Sequence, residues 1–190
     1  MVPVARTAGT APRMDARRVN GSNRSILITP FQKQPVLARD MNRVTIRNAR
    51  KSDLPAINQL IFQLISTLDK KEDIDPEFVS RNSRSLFRSA NSYFLVAGHG
   101  RTAVGFVHFT TRGTVTHRGL SGLVDELVVA KDSRKAGIGR RLLLASVQRC
   151  RELGCCEVEV STERTNKSAR AFYRSCGFEE RGILLERDLA

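Results

Sequence analysis

The stretch Ser133-Arg134-Lys135-Ala136-Gly137-Ile138-Gly139-Arg140-Arg141-Leu142-Leu143 constrains the chain more than any other. An apolar run, Leu127-Val128-Val129, ends just before it, and an amphipathic helical pattern begins inside it. A strand, a glycine turn and a helix therefore meet here. Glycines at 137 and 139 let the backbone come close to a bound group, and the unpaired amide N–H groups of a helix start then point at that group. Such a start attracts phosphate. Arg134, Lys135, Arg140 and Arg141 surround the turn, which favours a pyrophosphate over a carboxylate or an apolar ligand.

Spacing removes two phosphate-binding readings. A dinucleotide fingerprint requires a third glycine where Leu142 stands, and a P-loop requires Gly-Lys-Ser/Thr where Arg140 and Arg141 follow instead. The remaining pattern, Arg-x-x-Gly-x-Gly at 134–139, resembles the acetyl-CoA pyrophosphate loop of the GNAT superfamily of N-acetyltransferases. Downstream, Asn166-Lys167-Ser168-Ala169-Arg170-Ala171-Phe172-Tyr173-Arg174-Ser175-Cys176-Gly177-Phe178 is similar to that family's second conserved block. The resemblance spans residues 44–188, all of the chain but its N-terminal extension.

Periodicity orders the elements. Residues 44–47 read as a strand, and Ser52-Asp53 cap a helix whose apolar positions are Leu54, Ile57, Leu60, Ile61, Leu64 and Ile65, with Pro55 in its first turn. An acidic loop at 69–77 leads to a second helix through Phe78, Val79, Leu86, Phe87 and Ala90. Residues 92–97 and 102–111 form a hairpin, with 120–129 as the third strand of a meander. His108, in register with Val104 and Phe106, stands on a face that can line a groove, but a satisfied sheet histidine is the preferred reading. The helix from 137 to 153 buries Leu143, Val147 and Cys150, flanked by Leu142 and Leu153, with Arg141, Gln148 and Glu152 facing water. Residues 156–161 form a strand parallel to 120–129, because a crossover helix joins them. Asn166 starts a last helix with a buried stripe of Ala169, Phe172, Tyr173 and Cys176, and Gly177 ends it. Residues 178–180 and 183–188 read as closing strand, with Arg181-Gly182 as a reversal or bulge. This is the GNAT order: an α/β fold of α+β type, in which helices flank a central mixed, mostly antiparallel sheet.

The formal charge of +13 and pI near 10.6 favour anionic partners, and residues 1–43 hold eight Arg/Lys against two Asp. Residues 1–40 read as a basic, disordered extension ahead of an acetyltransferase domain at 41–190; an organelle transit peptide and a nucleic-acid-binding arm are the competing readings. Met41, directly before the first strand, is the expected true start. Cys150, Cys155, Cys156 and Cys176 lack metal-site spacing and read as reduced thiols of a cytoplasmic protein, with no metal and no membrane span expected.

The resemblance also implies roles. The backbone of Leu127, Val128 and Val129 pairs with the pantetheine arm, the amides of Lys135, Ala136, Gly137, Ile138, Gly139 and Arg140 hold the pyrophosphate beside Arg134, and Asn166, Ala169 and Phe172 complete the acetyl-CoA contacts. Tyr173 stands where the phenol protonates the departing thiolate, although a core tyrosine is the alternative. For the general base, alternation along a strand sends Asp125 and Glu126 to opposite faces; Asp125 shares parity with Leu127 and Val129, and Glu126 is the fallback. Lys167, Arg170 and Arg174 either neutralise the adenosine phosphates or form a solvated basic face. The expected activity is direct acetyl transfer to a small-molecule or peptide amine. A catalytically silent module that binds CoA or nucleic acid is the alternative, nucleic acid being the less favoured partner. Homodimer formation is compatible with either reading.

Overall fold

The computed structural model describes residues 44–66, 75–100 and 102–187. The expected N-terminal extension, most of the acidic loop and Asp188 at the end of the expected closing strand lie outside them. Five strands form one sheet in the order β1-β2-β3-β4-β5: β1 (Thr45–Asn48), β2 (Ser92–His99), β3 (Thr102–Gly113), β4 (Leu120–Val129) and β5 (Cys155–Val160). The first four pair antiparallel and β5 joins β4 in parallel, as the crossover helix requires.

Apolar residues on both faces of β2, β3 and β4 bury the sheet between two layers. On one face, α1 (Leu54–Ile65) places Leu54, Ile57 and Leu60 against Phe94, Val96, Phe106 and Val128, with α2 (Pro76–Leu86) beside it. On the other, α3 (Ile138–Glu152) buries Ile138, Leu142, Leu143 and Cys150 against Leu95, Val107, Phe109 and Val124. The buried stripe of α3 thus begins one turn earlier than its apolar pattern indicates, and Val147 is only half-buried. Gly122 makes that seat possible: a Cβ there would lie 2.7 Å from Cys150 Sγ. α4 (Lys167–Ser175) has Ala169, Phe172, Tyr173 and Cys176 half-buried rather than fully buried.

Three further expectations are corrected. Asp53 does not cap α1 with its side chain; it accepts Arg47 Nη1 and Nη2 at 2.7 and 2.9 Å and the Arg50 amide at 2.7 Å. Arg141 is not a cation of the glycine turn, since its guanidinium reaches across to the Val44 carbonyl at 2.6 Å. Residues 178–187 form no strand. The segment is tied to α4 rather than to the edge of β5: Gly177 turns at φ +91°, the Phe178 amide donates back to the Tyr173 carbonyl at 3.1 Å, and Glu180 binds Arg170 and Arg174. Ile183, Leu184 and Leu185 are consequently exposed.

The Arg47–Asp53 pair staples β1 to the start of α1, and the Arg47 hydrogen bonds hold the Asp53 carboxyl below its ordinary range. Asp53→Asn is expected to cost on the order of 2 kcal/mol in urea unfolding at pH 7. The parent's advantage is complete above the unfolded-state value of about 3.9 and is lost as pH falls through the lower folded-state value. Equal stability of the two proteins at pH 7 would contradict the assignment.

Candidate active site

β4 pairs with β5 from Leu120 only as far as Val124, opposite Val160. Among the described residues, Asp125 to Val129 therefore have β3 on one side and no strand on the other. On that side the Val129 carbonyl is taken by Arg134 Nε and the backbone before it faces no strand, the kind of edge to which an extended amide-bearing chain adds. The two strands part just before the glycine turn.

The chain leaves β4 through a 3₁₀ turn at Lys131–Ser133, and Arg134 Nε donates to the Val129 carbonyl at 3.1 Å, folding the loop back on the strand end. Lys135 and Gly137 both have positive φ, +63° and +73°. Gly137 is the N-cap of α3, a left-handed conformation that favours glycine, and a Cβ there would meet nothing within 4 Å. The first amides of α3 have no partner inside the helix. Ile138 is 1% exposed, so its side chain anchors the loop in the core and only its amide can serve a ligand. Gly139 packs beside Phe172 of α4 and Val129. The Arg140 guanidinium donates to the Ser175 carbonyl at 2.7 Å, which satisfies a carbonyl at the end of α4 and joins it to the start of α3.

A cleft of about 1960 Å³ opens between β4, β5, α4 and the C-terminal segment. It brings together Asp125, Glu126, Leu127, Asn166, Ala169 and Tyr173. Val128 does not join them, being buried beneath α1, and Val129, the loop from Arg134 to Arg140 and Phe172 lie outside the cleft lining as well. Asn166 caps α4, its Oδ1 accepting the Ala169 amide and the Ser168 hydroxyl, each at 3.0 Å. Tyr173 is half-buried between Phe172 and Phe178, both edge-on. Burial first, and Cys176 second, push its phenol pKa upward, so it keeps its proton.

The carboxylates depart from the expected alternation. His108 pairs with Glu126, but its neighbour Phe109 pairs with Val124, which leaves Asp125 as the extra residue of a β-bulge. Both acids consequently lie on one face. Glu126 Oε2 is 2.6 Å and Asp125 Oδ2 3.8 Å from His108 Nδ1, and Thr110 Oγ1 donates to Asp125 Oδ2 at 3.1 Å. Asp125 thus shares the side of Glu126, not that of Leu127 and Val129. Burial raises the Asp125 pKa, with His108 and the Thr110 hydrogen bond opposing. His108 is the satisfied sheet histidine expected, but the sequence does not reveal its link to Glu126, because strand parity cannot register a bulge.

Arg170 and Arg174 are engaged by Glu180 rather than presented to a ligand: Arg170 Nε and Nη2 donate at 2.9 Å each and Arg174 Nη2 at 2.6 Å. These bonds, Arg170 first, hold the Glu180 carboxyl down at about 2.

Comparison with known proteins gives the family and the fold. The Acetyltransferase (GNAT) family model matches residues 58–178, more than half of the chain, and the chain belongs to that family. It is 28% identical over 169 residues to an uncharacterized N-acetyltransferase of Methanocaldococcus jannaschii, covering 86% of this chain and 74% of the relative. It is 26% identical over 147 residues to the phosphinothricin N-acetyltransferase of Alcaligenes faecalis, covering 74% and 72%. Among solved structures, a possible acetyltransferase from Clostridium difficile superposes with TM-score 0.70 at 19% identity, over 77% of this chain and 97% of that one. An aminoglycoside N-acetyltransferase in complex with CoA gives 0.67 at 18%, over 77% and 95%. These structural likenesses show the fold.

Glu180 is the tie between α4 and the segment that follows it. In Glu180→Gln, limited trypsin digestion is expected to cut after Arg181 several-fold faster than in the parent, while the melting temperature of the domain stays nearly the same. Equal cleavage rates would mean that the two arginines do not hold the segment.

Proposed function

We propose that this chain transfers the acetyl group of acetyl-CoA directly to a primary amine. The observation that carries the reading is the parting of β4 from β5 beside a left-handed glycine turn at the start of α3. An unpaired strand edge suits the amides of the pantetheine arm, and the open helix start suits the pyrophosphate. Acetyl-CoA supplies the thioester and a thiolate leaving group. The chain's residues do the rest. The unpaired edge from Leu127 to Val129 and the amides from Lys135 to Arg140, with Arg134 and Lys135 adding positive charge, hold and orient the donor. Asn166, Ala169 and Phe172, on the facing helix, bound the cleft and the loop.

The carboxylate pair takes the proton that the attacking amine loses as its nitrogen bonds to the acetyl carbon. The C–S bond then breaks, and the Tyr173 phenol donates its proton to the departing sulfur. The phenol suits its task because its pKa is pushed up, and Glu126 Oε2 lies 2.6 Å from His108 Nδ1. A cysteine acetyl-enzyme finds no support at Cys150, which is buried with its thiol pushed up to about 12 and so carries little thiolate at neutral pH.

Calorimetric titration of acetyl-CoA into the protein tests the donor site. Saturable binding is expected in the parent, weakened by at least about tenfold in Gly137→Asp/Gly139→Asp, which brings two carboxylates to the phosphate position. Absence of binding by the folded parent would remove the reading. Release of CoA thiol can then be followed with sisomicin, phosphinothricin, spermidine and an unblocked peptide as acceptors. With any that is turned over, Tyr173→Phe is expected to lower kcat by about 100-fold and leave acetyl-CoA affinity unchanged. Parent-like kcat in that variant would exclude the phenol as the acid.

A further inference from the structure

His108 is 2% exposed, yet both of its ring nitrogens have polar partners. Nε2 lies 2.8 Å from Ser92 Oγ and Nδ1 lies 2.6 Å from Glu126 Oε2, while Phe94 stacks on the ring with centroids 4.2 Å apart and planes inclined by 19°. At 2.6 Å a hydrogen must sit between the imidazole nitrogen and the carboxylate oxygen, because two lone pairs at that distance repel. An ionised carboxylate brings no hydrogen. Nδ1 must carry it, and in the neutral ring Nε2 is then the acceptor for the Ser92 hydroxyl. Phe94 and the surrounding apolar layer fix the ring plane, so the direction of the Nδ1–H bond is fixed as well.

That direction decides which oxygen of Glu126 stays available. Oε2 is held from behind, and Glu126 lines the cleft. Asp125 has its Oδ2 committed to Thr110 and stands farther from the ring. We propose that His108 is a positioning residue for acetyl transfer: its Nδ1–H, set by Ser92 on the other side of the ring, holds Glu126 Oε2 so that Oε1 is the oxygen presented to the amine. The inference rests on the acetyltransferase reading and makes Glu126 the proton acceptor of the pair. The proton leaves the ammonium nitrogen, forms an O–H bond at Oε1, and passes to solvent when the product departs; Nδ1 keeps its own hydrogen throughout. A carboxylate held on one oxygen loses rotational freedom before the amine arrives, which is the advantage that a supporting hydrogen bond gives a catalytic group.

Two substitutions separate positioning from packing. The amide nitrogen of His108→Asn falls near the place of Nδ1 and can still donate to Glu126, whereas that of His108→Gln falls near Nε2 and can reach only Ser92. Both remove the ring from beneath Phe94 and so perturb packing alike. With sisomicin or spermidine as probe amine, kcat in His108→Asn is expected to stay within about threefold of the parent and kcat in His108→Gln to fall by about 10–100-fold, with KM for acetyl-CoA unchanged in both. Equal losses in the two variants, or the reverse order, would overturn the proposal. A second measurement needs no turnover: long-range ¹⁵N NMR of the parent at pH 8 is expected to show a proton on His108 Nδ1. A ring protonated on Nε2 alone would sink the proposal even if acetyl transfer is established, and a proton on Nδ1 would sustain the geometry even if neither probe amine is accepted.

Discussion

One extra residue in β4 organises the reactive half of the molecule. Up to Val124 the strand is an ordinary interior strand, paired antiparallel with β3 and parallel with β5. At Asp125 the bulge breaks the two-residue alternation and increases the local twist, and the pairing with β5 ends at the residue before it. Two consequences coincide in space. Adjacent carboxylates that a regular strand would send to opposite layers both reach the histidine on β3, and the strand beyond them presents a free edge within reach of the glycine turn. A regular β4 would not bring the two acids to one side.

The architecture was legible where one physical signal dominates. Apolar runs marked β2 to β4, the 3.6-residue period marked α1 and α3, and the crossover rule set β5 parallel to β4. The glycine turn was legible because its residue types have few other uses together. What escaped reading is decided by partners distant in sequence. Asp53 looks like a cap until Arg47 is placed opposite it, and the apolar residues at 183–185 look like strand until Glu180 is found bound to two arginines of α4. The side of Asp125 depends on a register shift that no pattern within β4 records, since Leu123 to Val129 alternates plausibly either way.

The basic side chains around the turn illustrate the same dependence. Four cations near two glycines suggest a direct clamp on phosphate, but three of those guanidiniums make internal hydrogen bonds: Arg134 to Val129, Arg140 to Ser175 and Arg141 to Val44. Each donates to a backbone carbonyl, so each fixes a piece of main chain. Their charges still contribute to the local potential, because a hydrogen bond to a neutral carbonyl does not neutralise a guanidinium. Yet the directional part of any phosphate recognition is left to the backbone amides of the turn and α3, with Lys135 beside them. Arg140 has the wider structural effect, since it joins the start of α3 to the end of α4 and thereby sets the helix bearing Tyr173 relative to the loop.

Burial then shifts the ionisable groups of this region, each toward its neutral form. The Tyr173 phenol, enclosed by Phe172 and Phe178, is driven toward its neutral form, and Cys150 beneath α3 toward the thiol. Glu126 keeps a charge-assisted hydrogen bond to His108, and Asp125, more desolvated, is biased toward protonation. Burial moves Asp125 upward, and the adjacent His108 and the Thr110 hydrogen bond hold it back, so its proton affinity is set by groups on β3 as much as by its own strand. The nearby Glu126 carboxylate adds to that upward push on Asp125, while Arg112 pulls the other way. By crowding the two acids together, the bulge makes a second negative charge beside the first costlier to hold.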